Sequence, residues 1–68
     1  MTNHIYKSVD ITGTSPEGVT EAISNAVNKA SKTLRHIGWF EVENIRGYVD
    51  DTKLHYQVSL KIGFRLED

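Results

Sequence analysis

The lone tryptophan, Trp39, is the most informative side chain in the sequence, because it stands where a helical pattern hands over to a strand pattern. Two readings of it are open. It is either an anchor in a core or interface, or a bare indole at the rim of a sheet that stacks on a planar ligand. Stacking of that kind contributes about 1–3 kcal/mol per ring, by analogy with nucleic-acid bases. Gln57 and Arg46 sharpen the second reading. The Gln57 amide donates and accepts at once, matching a ring edge that presents both functions. Arg46 and Arg65 can hold a phosphate through forked hydrogen bonds. Together these residues supply what a flavin nucleotide needs, although physics alone does not single out flavin among planar ligands.

Other chemistry is scarcely represented. There is no cysteine, which removes disulfides, thiolate metal sites and thiol nucleophiles. His4, His36 and His55 are too dispersed for a recognised metal spacing and read as surface or interface residues. Glu41 and Glu43 are two apart in a strand pattern, so they share a face and can act as paired carboxylates; solvated strand carboxylates are the plainer reading. The segment Gly13-Thr14-Ser15-Pro16-Glu17-Gly18 lies between strand and helix, where phosphates are often held. It lacks the Lys-Ser/Thr that follows the second glycine of a phosphate loop, and Pro16 removes a backbone donor, so it reads as helix capping. The residues favour a binder over an enzyme.

Four elements must carry these side chains. Residues His4 to Thr12 alternate imperfectly, with Ile5, Val9 and Ile11 on one face, and read as a strand broken by Gly13-Thr14-Ser15. Ser15-Pro16 supplies an N-cap and a first helical residue. From Pro16 to about His36 the period becomes helical, with Val19, Ala22, Ile23, Ala26, Val27, Ala30, Leu34 and Ile37 on one stripe and Gly38 as the residue that ends the helix. Ala22, Ala26 and Ala30 form a small-residue row that lets the helix lie close to what it covers. A second strand starts at Trp39. Its apolar face switches between Val42 and Ile45, which predicts a bulge near Asn44-Ile45 assisted by Gly47. Asp50-Asp51-Thr52 is a turn. Leu54, Tyr56, Val58, Leu60, Ile62, Phe64 and Leu66 then alternate through a long strand with one buried face, placed in the middle of the sheet. The expected fold is α+β, a β-α-β-β subunit with a three-stranded antiparallel sheet packed on one helix.

Length and charge narrow the function classes. The 68 residues form a single domain, 1–68, and a chain of this size buries only about 60% of its unfolded surface. Such chains commonly need a staple or a partner. With no cysteine and no metal spacing, self-association is the expected remedy, using the open sheet face that carries Gln57, Ser59, Lys61 and Arg65. Eight Lys and Arg against nine Asp and Glu give a net charge of −1 and a pI near 6.3, which argues against nucleic acid as a partner. No apolar run approaches the ~20 residues that span a bilayer, and no signal-peptide core follows Met1, so a soluble cytoplasmic protein is expected.

Several stretches together carry a family likeness: Val9-Asp10-Ile11-Thr12-Gly13-Thr14-Ser15, Thr33-Leu34-Arg35-His36, Trp39-Phe40-Glu41-Val42, Ile45-Arg46-Gly47, Tyr56-Gln57-Val58 and Gly63-Phe64-Arg65-Leu66-Glu67. On these the chain resembles the dodecins, small prokaryotic flavin-binding proteins. The resemblance implies a hollow homododecamer of tetrahedral symmetry with flavins bound between subunits in stacked pairs. It assigns Trp39 to stacking on the isoalloxazine, Gln57 to its pyrimidine edge, Arg46 to the flavin site and Arg65 to the phosphate end. FMN is the implied flavin from the bacterial look of Arg46, with riboflavin or FAD as variants. Some bacterial relatives also bind coenzyme A, and Tyr6, Lys29, Lys32 and Arg35 occupy comparable places. Gly38 departs from relatives that carry an acidic or amide residue before the tryptophan, so only its backbone can serve the site. The implied function is flavin storage, buffering and photoprotection. The alternatives are a ligand-free assembly module and a small flavin-dependent reductase using Glu41 and Glu43.

Overall fold

Alternating β-branched and apolar residues in three segments, and one amphipathic segment between the first two, produce four elements in the computed structural model, which describes residues 3–66. These are β1 (Tyr6–Ser15), α1 (Val19–Ala30), β2 (Ile37–Asp50) and β3 (Lys53–Arg65). Glu67, which ends the last of the matching stretches, lies outside the described residues. The sheet is antiparallel in the order β1-β3-β2. The unbroken alternation of β3 therefore sits in the centre, as its pattern predicts.

The helix lies over β1 and β3. Ala22, Ala26 and Ala30 are buried against Val58, Leu60 and Ile62 of β3. The small-residue row has the effect expected of it. A Cβ added to Gly13 of β1 would strike the Ala22 carbonyl and come within 2.8 Å of Ala26 Cβ, so the helix rests on bare backbone there. Glu21 in the first turn and Lys29 in the last suit the helix dipole.

Several boundaries differ from the sequence reading, each for a local reason. β1 does not break at Gly13 but runs to Ser15, because Gly13, Thr14 and Ser15 keep pairing with Val58, Gln57 and Tyr56. Ile5 precedes the strand and is exposed rather than buried. Pro16 does not start the helix and Ser15 does not cap it. Ser15 Oγ instead accepts a hydrogen bond from the Glu17 amide at 3.0 Å, and Gly18 occupies the N-cap. The helix ends at Ala30, with Ser31 as its C-cap, not near His36. Leu34 and Ile37 continue the apolar spacing because they pack on the same core from non-helical backbone. Gly38 is not the left-handed terminator; His36 takes that conformation with φ 62°, one that histidine tolerates better than most residues. Leu54 at the start of β3 and Leu66 just past its end are exposed, so the buried face is shorter than its pattern.

The predicted bulge is present one residue earlier than expected. Register shifts between Val42 and Asn44, leaving Glu43 as the extra residue, and Gly47 stays in register. A second shift, between Ile37 and Trp39, leaves Gly38 unpaired. Asp51, at φ 61°, turns the chain from β2 into β3. Among the described residues no helix is long and apolar enough to cross a membrane.

Candidate functional site

Cross-strand pairing decides which side chains share a face, since opposed residues point the same way. β3 residues Gln57, Ser59, Lys61, Gly63 and Arg65 face away from the helix. Their β1 partners are Thr14, Thr12, Asp10, Ser8 and Tyr6. Their β2 partners include Arg46 opposite Gln57, Asn44 opposite Ser59, Glu41 opposite Lys61 and Trp39 opposite Gly63. Trp39, Gln57, Arg46, Arg65 and Tyr6 therefore all project from the outer face of one sheet.

They fall into two groups on it. Near one end, the Trp39 indole stands directly over Gly63, so that a Cβ at Gly63 would lie 2.6 Å from Trp39 Cδ2 and collide with Cε2 and Cζ2. Trp39 is still 39% exposed. Tyr6 flanks it, with ring centroids 6.5 Å apart and planes tilted by 53°. Tyr6, His36, Ile37, Gly38 and Arg65 line an open cleft of about 220 Å³ beside this pair. The Arg65 amide donates to the His36 carbonyl at 3.0 Å, which ties the cleft wall to β3.

Toward the hairpin, Gln57 lies between Thr14 and Arg46. Arg46 Nε donates to Asn44 Oδ1 at 3.4 Å. One row further, the Tyr48 and His55 rings stack with centroids 4.8 Å apart and planes 4° from parallel. Gln57 and Gly63 are six residues apart along β3, which at a rise of ~3.4 Å per residue is about 20 Å. That exceeds the length of a tricyclic ring system. Within one chain, Trp39 and Gln57 do not converge.

Between the groups lies a charged band. Lys61 Nζ sits 3.7 Å from Glu43 Oε2, with both side chains more than a third exposed, and Glu41 and Asp10 pair with Lys61 across the strands. Glu41 and Glu43, weighed above as paired carboxylates or as solvated strand carboxylates, are thus bracketed around a lysine on an open surface. Lys29 in the last turn of α1, and Lys32 and Arg35 just beyond it, are exposed and lie outside the lining of the Tyr6 cleft. Among the described residues no group of three or more His, Asp or Glu side chains comes together as a metal centre requires. The sequence reading passed over Gly63. Its signal was a glycine inside an otherwise apolar and polar alternation, which often marks a close approach of another group.

Comparison with known proteins agrees with this fold. Residues 5–67 match the Dodecin family. A curated dodecin from Thermus thermophilus is 51% identical over 65 residues, 94% of each chain. A dodecin structure from Streptomyces davaonensis superposes with a TM-score of 0.94 at 51% identity, covering 98% of this chain and 100% of that one. A Mycobacterium tuberculosis structure described as a calcium dodecin with a calcium-binding site matches at 31% identity and a TM-score of 0.83, over 93% and 91% of the two chains. The chain belongs to the dodecins, a family of small flavin-binding proteins.

Proposed function

We propose that this protein binds FMN between subunits of a homododecamer and serves as a flavin store that also protects its ligand from light. The observation that carries the reading is an indole backed by its own sheet, with its other side open, on the same face as Gln57 but about 20 Å from it. A slot with an aromatic floor and an amide at the ring edge then requires Trp39 from one copy and Gln57 from another. Arg46, opposite Gln57, would add a forked donor to that end, and Arg65, beside Tyr6, a cation for a phosphate. Riboflavin and FAD share the ring system and are the variant ligands. Coenzyme A would engage Tyr6 with Lys29, Lys32 and Arg35 near the end of α1, and Gly38 would meet a ligand only through its backbone.

The shape of the subunit supports the assembly. Its radius of gyration is 14.1 Å, against about 11 Å for a compact chain of this length. Its accessible surface is 5111 Å², larger than the about 4,300 Å² of a compact chain of this mass. Phe40, Val42, Ile45, Val49 and Leu54 are exposed on the helix side of the β2–β3 hairpin, an apolar surface that a neighbouring copy would cover.

A bound flavin would supply a light-absorbing, redox-active ring. An indole in van der Waals contact with it would quench the excited state by donating an electron and recovering it, with no net reaction. Binding FMN to the purified protein should therefore remove most flavin fluorescence, and Trp39→Ala should restore it while weakening affinity by about tenfold or more. Unchanged FMN emission at micromolar wild-type protein would defeat the flavin reading. Failure of Trp39→Ala to assemble, with no effect of flavin on the wild type, would favour the ligand-free assembly module. NADPH-dependent bleaching of flavin that Glu43→Gln abolishes would favour the reductase.

A further inference from the structure

A stacking side chain is useful only if its ring is held still before the ligand arrives, because ordering it at the moment of binding weakens the affinity. Two features on the outer sheet face bear on this. At Gly63 the central strand has no side chain, and the Trp39 ring fills that gap. Gly63 is buried although it points to the open face, and its cover is the indole. At Gly38, the unpaired residue of the first register shift, a Cβ would lie 3.0 Å from Tyr6 Cε1. The Tyr6 ring therefore leans across bare backbone toward the edge of the indole.

We infer that Gly63 and Tyr6 are positioning residues for the ligand slot: Gly63 provides the backbone seat on which the Trp39 ring rests, Tyr6 closes one edge, and the opposite ring face is presented to a planar aromatic ligand. A methyl group at position 63 would occupy the volume of the ring and force the indole off the sheet. The seat itself belongs to this chain, and only the identity of its guest rests on the flavin reading.

The test compares Gly63→Ala with wild type, with Ser24→Ala on the exposed side of α1 as the control. In the ligand-free protein, Gly63→Ala should reduce the near-ultraviolet circular dichroism of the tryptophan and introduce a fast component in its time-resolved anisotropy. Its FMN affinity should fall by about tenfold or more, while Ser24→Ala stays at wild type in every readout. In a Trp39→Phe background the smaller ring leaves room for the methyl, so Gly63→Ala should change affinity by less than about threefold. Tyr6→Ala should loosen the indole, and Tyr6→Phe should not. Wild-type dichroism and FMN affinity in Gly63→Ala would overturn the seat and leave the flavin reading intact. A wild type that ignores FMN, with the indole signals still lost in Gly63→Ala, would overturn the flavin reading and leave the seat. Should Gly63→Ala fail to fold, the wild-type anisotropy decides: a held ring shows no large sub-nanosecond decay, and a large one overturns the proposal.

Discussion

The two sides of the central strand are built differently. Toward β1, the helix closes over the sheet and buries Ala22, Ala26, Ala30, Val58, Leu60 and Ile62. Toward β2, the helix does not close over the sheet, and every residue from Gly38 to Asp50 is exposed. β2 is nonetheless as apolar as a core strand at Phe40, Val42 and Ile45 on its helix side. Selection for solubility of a lone subunit would not leave those residues there. The first region is finished by its own chain, and the second is finished by something else.

That contrast can be broken by experiment. Ile45→Lys places a charge on the unfinished surface, where covering it costs several kcal/mol. The mass from light scattering should drop toward that of a monomer; a variant of wild-type mass would show that β2 is not an interface. Leu60→Ala strikes the finished region instead. It should cost about 2–5 kcal/mol, read as a thermal midpoint lower by about 10 °C or more at fixed protein concentration. A shift of under 2 °C, by the same scaling of about 4–8 °C per kcal/mol, would mean that the helix contributes little to the core. The smallest effect belongs to the charged band. Lys61→Gln removes the contact with Glu43, and because both partners are more than a third exposed the loss should stay below about 1 kcal/mol. A larger loss in denaturant unfolding would reveal that this band is covered in the native assembly.

The element order, the central place of β3 and the kink in β2 were all legible, because each follows from period-two burial and its one phase slip. The helix ends were not. Leu34 and Ile37 keep helical spacing while lying outside the helix, since apolar periodicity reports which side chains reach the core and not the backbone that carries them. Ser15-Pro16 looked like a helix start because the same hydroxyl can cap a helix or close a local turn, and here it holds the Glu17 amide. For the candidate site, Trp39 could be singled out by type and place. Its seat could not, because the pairing of Trp39 with Gly63 depends on the size and place of the register shift at Glu43, and a phase slip in the apolar pattern reports a bulge without naming the partner residue beyond it.

The distance between the indole and the amide along β3 has a consequence for occupancy. If each copy lends its tryptophan to one cavity and its glutamine to another, every protomer is a donor of two half-sites and the owner of none. Removing one neighbour then empties two cavities rather than one. Dilution, crowding or a single poisoned protomer would govern how many slots are complete, without any change in the chemistry of the slot.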